Sequence, residues 1–367
     1  MPDLDLAQLR RYTVARTLFA PTSLRRAFAK LGFVQADPIR APARAQDLTL
    51  RQRVKNYRAG DLERLYPKLG IDEDFFINYG FVTRSMQELM HPRKGGQRRA
   101  WDAASRKQAA QLLRFVHAKG AVHPREVEAH FGLGQVTNYW GGTSSATTHL
   151  LEKMHYRGLL RVVRRDSGVR VYEAIAERPL VRSARERDQR IDALADQLIN
   201  IYAPLPRASL APLLGRLRYA VPQWQAQLKA AITRARERLA STRIDGSDWY
   251  WPADERPENV QRYAAAPRVS LLAPFDPLVW DRRRFELLWG WSYRFEAYTP
   301  VKQRKLGYYA LPLLFDDAIV GWANLSLREG ELQSALGFVK DRPKDPGFEP
   351  ELAAELERMR DFLGKTS

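Results

Sequence analysis

Leu159-Leu-Arg-Val-Val-Arg-Arg-Asp-Ser-Gly-Val-Arg-Val-Tyr-Glu-Ala-Ile175 is the segment on which the fold assignment turns. Two runs rich in β-branched residues flank Asp166–Gly168, a turn composition, so the segment reads as an antiparallel hairpin. Three helices precede it. Ser105 to Ala118 puts Leu112, Leu113, Phe115 and Val116 where one face can be buried. His123-Pro-Arg-Glu-Val-Glu-Ala-His-Phe131 follows, with Pro124 in the first turn, where its missing N–H costs nothing. Gly141-Gly-Thr-Ser-Ser145 caps a third helix that runs to about Tyr156 and stops at Gly158. Three helices and a hairpin make a winged helix, whose third helix usually enters the major groove of DNA.

Outward from this unit the plan recurs loosely. From Glu186 to Pro252 the pattern predicts a long helix over Asp188 to Ile201, a short one over Ser209 to Leu217, a long basic one over Pro222 to Ala240 and a hairpin over Ser241 to Trp251, turning at Asp245–Gly246. Toward the N-terminus, Leu6 to Leu18 and Ser23 to Leu31 read as helices, Gly32 as a stop and Phe33 to Asp37 as a short strand. The C-terminal part is different. Arg268 to Ala273, Phe295 to Thr299, Gly307 to Leu314 and Ile319 to Ser326 read as strands, with turns at Asp316–Asp317 and Glu329–Gly330 and a closing helix over Pro350 to Leu363. Trp289, Trp291, Tyr293 and Trp322 alternate as packed strands do. Met90 to Arg99 and Arg178 to Ser183 read as linkers. The expected class is α+β, tandem winged helix-turn-helix motifs followed by a mostly antiparallel β region. Its segments are 1–98, 99–182, 183–266 and 267–367.

Composition narrows the function. Lys plus Arg number 60 against 42 Asp plus Glu, a net charge of +18 over 367 residues. That excess calls for a polyanionic partner, most simply nucleic acid. With 45% hydrophobic residues the chain is too apolar to be a disordered polycation. It has no Cys, which excludes a disulfide scaffold, a thiol nucleophile, an iron–sulfur cluster and Cys-containing zinc sites. The six His are scattered without metal-ligand spacing, so no metal and no cofactor is expected. Walker and Rossmann glycine patterns are absent. No apolar run is long enough to span a membrane, and Met1 to Arg10 lacks an apolar core, so a cytoplasmic, nucleoid-associated monomer is the expectation.

Gln35-Ala36-Asp37 carries the most chemistry. On a strand, alternate side chains share a face, and Pro38 biases Asp37 toward an extended backbone. A carboxylate beside an amide can hold and polarise one water, and can stabilise positive charge developing on a sugar; N-glycosidic hydrolysis needs both. The competing reading is that Asp37 caps a turn before Pro38 and Gln35 is merely exposed. Arg40, Arg44, Arg51, Arg53, Lys55 and Arg58 follow within a short stretch, as phosphate contacts at a groove mouth or as a solvated helix face. Thr143, Ser144, Ser145, Thr147, Thr148 and His149 open the third helix of the central unit, facing a groove or capping the helix. In Pro274-Phe-Asp-Pro-Leu-Val-Trp-Asp-Arg-Arg-Arg-Phe-Glu286 the acidic residues could form a metal site; helix capping by Asp281 and ion pairing to arginine is the preferred reading.

Two signatures then stand out. Leu31-Gly-Phe-Val-Gln-Ala-Asp-Pro38 with Arg44-Ala-Gln-Asp-Leu-Thr-Leu-Arg51, and Leu271-Leu-Ala-Pro-Phe-Asp-Pro-Leu-Val-Trp-Asp-Arg282 with Tyr293-Arg-Phe-Glu-Ala-Tyr-Thr-Pro300 and Gly307-Tyr-Tyr-Ala-Leu-Pro312, resemble the winged-helix DNA glycosylases of the AlkZ/YcaQ type over nearly the whole chain. The resemblance is to the branch with Gln-x-Asp rather than Gln-x-Gln. It implies tandem winged helices forming a basic surface for double-stranded DNA, and hydrolysis of N7-alkylguanine-type purines with unhooking of interstrand crosslinks. It also implies a monofunctional reaction in which Asp37 activates or holds water and stabilises the oxocarbenium ion while Gln35 positions that water. Lys302, Arg304 and Lys305, beside the second signature, join Arg40, Arg44, Arg51, Arg53, Thr143, Ser144 and Thr147 as expected DNA contacts. The chain departs from the family at Phe75-Phe-Ile-Asn-Tyr-Gly-Phe81, where a Trp-Ala-His segment is common, and at Trp322, where Arg is common. Both departures bear on substrate preference. Against the glycosylase stand a non-catalytic winged-helix regulator, which would tolerate Asp37→Asn, and an RNA-binding protein, which leaves the tripeptide unexplained.

Overall fold

Asp5 accepts the Gln8 backbone N–H at 2.7 Å while its own N–H donates to the Gln8 side chain at 2.9 Å. This capping box starts the first helix, α1 (Leu6–Thr17). The computed structural model describes residues 4–93, 101–137, 143–176, 178–259, 262–263 and 268–364. In chain order, α2 (Leu24–Leu31), β1 (Phe33–Gln35), α3 (Ala45–Leu50), α4 (Asp61–Leu65), β2 (Ile71–Phe75), β3 (Tyr79–Thr83) and α5 (Arg84–Met90) come next. Then follow α6 (Ala103–Lys119), α7 (Pro124–Phe131), β4 (Gln135–Thr137), β5 (Thr143–Ser145), α8 (Ala146–Arg157), β6 (Leu160–Asp166), β7 (Val169–Ala174) and α9 (Ala184–Tyr202). The last part holds β8 (Leu205–Pro206), α10 (Arg207–Leu214), α11 (Leu228–Glu237), β9 (Leu239–Ile244), β10 (Ser247–Pro252), β11 (Val269–Leu271), α12 (Arg282–Trp289), β12 (Leu311–Phe315), β13 (Ala318–Arg328), β14 (Glu331–Phe338) and α13 (Phe348–Phe362). This is the expected mixture of helix and antiparallel sheet. The chain forms two compact units, one of Met1–Leu62, Ala195–Leu214 and Ile232–Ser367, the other of Glu63–Leu194 and Gly215–Ala231.

The second unit contains the hairpin that opened the sequence reading. β6 and β7 pair antiparallel around Ser167–Gly168, both with positive φ, and Gly158 ends α8 in the left-handed conformation. Leu112 and Val116 of α6, Val127 of α7, Leu151 and Met154 of α8, and Val162 and Tyr172 of the hairpin share one core. One detail differs. Thr143–Ser145 is a strand paired with β4, and only Ser145 caps α8, by accepting the Thr148 N–H. Gly141 and Gly142 lie outside the described residues.

Of the Met90 to Arg99 stretch, only residues 90–93 are among those described. His91 and Arg93 are buried and close an ionic cluster with β2, and 94–100 lie outside the described residues. Asp74 accepts His91 Nε2 at 2.6 Å and Arg93 Nη1 at 2.7 Å, and Glu73 accepts both Arg165 Nε at 2.8 Å and Nη2 at 2.6 Å. Burial lowers His91 to about 4, so it stays neutral where the unfolded chain, near 6.5, takes up a proton. Stability is therefore complete above about pH 6.5 and is lost as pH falls toward 4. His155, also lowered by burial, acts in the same direction, whereas Asp74 and Glu73, held below the ordinary carboxylate range by their cations, titrate beneath that window. Urea titrations should find the unit about 2 kcal/mol less stable at pH 5 than at pH 7.5 from His91 alone, and equal midpoints would refute neutral burial.

The first unit carries the antiparallel sheet β11-β12-β13-β14 and the smaller sheet β8-β10-β9. The turns at Asp316 and Glu329 fall where expected, both with positive φ. Phe295–Thr299 is not a strand, however, and neither is Gly307–Tyr309; the fourth strand is β14, which the sequence reading missed. Pro222 to Ala240 is not one helix but a 3-10 helix with a break at Trp224 (φ −121°), then α11. Trp289 ends a helix and Trp291 and Tyr293 lie in coil. They still pack together, with Trp291 stacked on Trp322 at 5.7 Å. Leu272, Leu278, Val279, Phe285, Tyr293 and Leu314 form the core behind them. From α13, the buried Glu355 accepts the Leu271 N–H at 2.8 Å and Gln52 Nε2 at 3.1 Å, and also binds Arg51 Nη2.

Candidate active site

β1 ends at Gln35, so Gln35 and Asp37 are not neighbours on one strand face. Asp37 Oδ1 instead accepts the Ile39 N–H at 2.9 Å, the two-residue turn that Asp favours before Pro, and the Asp37 N–H donates to the buried Gln46 Oε1 at 3.2 Å. The turn reading therefore holds. It also leaves the carboxylate available: Oδ2 has no hydrogen bond, and no Lys or Arg forms an ion pair with Asp37, among the described residues. Burial raises the Asp37 carboxyl above its ordinary range, against the opposing pull of the Ile39 N–H. A half-buried, unneutralised carboxylate is costly for the fold and useful for chemistry.

Gln35 is held by a residue far away in sequence. Its Oε1 accepts Trp280 Nε1 at 2.8 Å, which fixes which end of the amide faces the indole. Trp280 rests on Tyr202 with rings 5.2 Å apart. The turn bearing Trp280 is built on Asp276. The Asp276 carbonyl accepts the N–H groups of Val279 and Trp280, both at 2.8 Å, and its carboxylate accepts Leu278 N–H at 3.0 Å. Arg53 grips the same carboxylate with Nη1 at 2.7 Å and Nη2 at 2.8 Å, both side chains fully buried. Asp281 caps α12 through the Arg284 N–H at 3.1 Å. The capping and ion-pairing reading of this acidic segment is thus the one the structure carries.

Tyrosines near Asp37 escaped the sequence reading. Tyr309 is buried, and its hydroxyl has no hydrogen-bond partner among the described residues. Burial, and then the charge of Asp37, keep that hydroxyl protonated far above neutral pH. Tyr298 also feels the charge of Asp37. An unsatisfied buried hydroxyl costs about 1–3 kcal/mol and marks a place where a reacting group can be met. Beside it runs a groove of about 750 Å³ lined by Arg40, Gly307, Tyr308, Tyr309, Asn324 and residues of both strands of the β13–β14 hairpin. The only available signal was the Gly307-Tyr-Tyr signature, which does not say which hydroxyl is buried.

The basic residues separate sharply. Arg40 is exposed on that groove, and Lys302 and Lys305 are exposed, with Arg304 half-buried, on the loop between Tyr298 and Tyr309. Arg44 is half-buried, near Asp47. Arg51 and Arg53 are corrections: the first is committed to Glu355, the second to Asp276, and neither presents its charge to a phosphate. Thr147 is also corrected, being fully buried with its hydroxyl on Glu128. Thr143 is exposed on β5, and the side chain of Ser144 lies outside the described residues.

Comparison with known proteins places the chain in a family. Residues 28–362 match the family described as DNA glycosylase AlkZ-like. Among solved structures the chain is similar to the Streptomyces sahachiroi DNA glycosylase AlkZ, with a TM-score of 0.60 over 99% of this chain and 97% of that one, at 13% identity. A likeness that distant concerns the fold; the family match, spanning both halves of the site, concerns the enzyme. The chain belongs to the AlkZ-like DNA glycosylase family and is a DNA N-glycosylase.

Proposed function

We propose that the enzyme hydrolyses the N-glycosidic bond of N7-alkylguanine-type purines in duplex DNA, unhooks interstrand crosslinks through the same bond, and uses water as its only nucleophile. The observation that carries the reading is the half-buried Asp37 carboxylate, free of any cation among the described residues and held in place by Ile39 and Gln46. Alkylation at N7 already makes the purine a cationic leaving group. The reaction then needs little general acid, and mainly a negative charge beside the developing oxocarbenium ion and an acceptor for the water proton. Asp37 supplies both, and Gln35, pinned by Trp280, orients the water. Family membership removes the non-catalytic regulator and the RNA-binding protein from contention.

In the same reading, residues 103–174 and 184–252 are winged helices of a tandem array, within the expected segments 1–98, 99–182, 183–266 and 267–367. Arg40, Lys302, Arg304 and Lys305 contact phosphates around the reacting nucleotide, and Arg44, Thr143 and Ser144 also contact the duplex. The enzyme works as a nucleoid-associated monomer without metal or cofactor. Among the described residues, no helix is long and apolar enough to cross a membrane. The test is base release from a duplex with one N7-methylguanine, read by alkaline cleavage, beside a nitrogen-mustard crosslinked duplex. Release from both is expected, with no nick before alkali and no borohydride-trapped adduct. Salt-sensitive binding without release from either duplex would overturn the reading.

A further inference from the structure

We propose that Tyr298 and Val301 form a rigid stacking tip that inserts against unstacked DNA bases beside the lesion, making Tyr298 a positioning residue for base release. The proposal rests on the duplex-DNA reading of the Asp37 site. Tyr298 is 78% exposed and Val301 74%, whereas the next most exposed large apolar residue among those described, Leu180, is at 46%. Single exposed apolar residues are ordinary, but these two are three positions apart, Tyr298 in the turn closed by Thr299 N–H on the Glu296 carbonyl and Val301 at the start of the 3-10 turn that follows, and Tyr298 feels the charge of Asp37.

The turn is also built to stay where it is. Glu296 Oε2 accepts the backbone N–H groups of Lys305 at 2.8 Å, Leu306 at 2.7 Å and Gly307 at 3.3 Å. Arg304 Nε donates to the Thr299 carbonyl at 2.8 Å, and Gln303 N–H to that of Pro300 at 2.8 Å. Phe295 stands edge-on to Tyr309 at 5.2 Å and to Tyr298 at 6.0 Å, so the exposed ring rests on Phe295, which in turn meets the buried Tyr309. A tip held this way loses little conformational entropy on contact. Exposed Lys302 and Lys305 flank it with the charge that a phosphate backbone requires. An aromatic and an aliphatic side chain between cations fit the π-face of a nucleobase, and such wedges hold bases apart in other DNA-bound proteins.

The full chain and its Tyr298→Ala and Tyr298→Phe variants are compared in single-turnover base release. One substrate carries N7-methylguanine in intact duplex, the other the same lesion opposite a gap in the complementary strand. Tyr298→Ala should slow release from the intact duplex about ten- to hundredfold, and by less than about threefold opposite the gap, where no unstacking is needed. Tyr298→Phe should behave as wild type, because the ring face and not the hydroxyl does the work. Equal effects of Tyr298→Ala on both substrates, or none on either, would overturn the proposal. Should wild type release nothing, the substrate reading fails instead. The tip is then judged by 2-aminopurine beside the lesion, whose fluorescence must rise on binding of wild type and not of Tyr298→Ala; an equal rise refutes it.

Discussion

Asp37→Asn should slow base release about 10²–10⁴-fold in the single-turnover rate, the range for removal of a positioned acid–base group, while leaving DNA binding intact. Asn keeps the shape and the bond from the Ile39 N–H, so the turn survives, but it can neither take a proton from water nor face a cationic sugar as an anion. The wild-type rate should fall on the acid side at a pH above the ordinary carboxylate range, because burial raises the Asp37 carboxyl and the reaction uses its ionised form. The stability effect has the opposite sign. A carboxyl raised by folding contributes stability below its unfolded pKa, and that contribution is lost as pH rises through the folded value. At neutral pH the wild type therefore bears a charge the fold disfavours, and Asp37→Asn should not lower the melting temperature. A variant that retains wild-type release would remove Asp37 from the mechanism.

Arg53→Met should destabilise the enzyme by about 3–5 kcal/mol, the usual consequence of stripping one partner from a fully buried ion pair. The fully buried Asp276 carboxylate then keeps the Leu278 N–H but loses its cation. Adding Asp276→Asn should recover part of the loss, because the orphaned charge is gone. Activity should recover less than stability, since the turn that carries Trp280, and through it Gln35, no longer has its anchor. Urea unfolding of both single variants and the double variant, with base release measured on each, tests this. Full additivity of the two substitutions would mean that the pair does not act as a unit.

How much of this was legible in the sequence follows from the range of the interactions. Local signals were reliable where local chemistry decides. Pro124 starts α7, Gly158 ends α8, Asp281 caps α12, and Ser167–Gly168, Asp316 and Glu329 mark turns, because caps and positive φ are set by residues a few positions apart. The Gln-x-Asp motif was visible for the same reason, and so was the turn that Asp37 makes with the Ile39 N–H. Strand identity was less secure. Phe295–Thr299 alternates like a strand yet forms the turn fixed by Glu296, since nothing local shows that one carboxylate will collect three N–H groups.

Which charges remain available depends on partners far away in the chain. Arg40, Arg51 and Arg53 are equivalent in a run of basic residues, but Glu355 and Asp276, more than two hundred positions away, bury two of them and leave the first on the groove. The Trp280 indole on Gln35, the unpartnered Tyr309 hydroxyl and the exposed Tyr298 ring likewise depend on contacts between distant segments. Local sequence was enough for the charge that seeks a polyanion, for the caps, and for the turns at Ser167–Gly168, Asp316 and Glu329. Burial determined the rest, because a side chain's solvation, and with it its pKa and its freedom to meet a substrate, is a property of what folds around it.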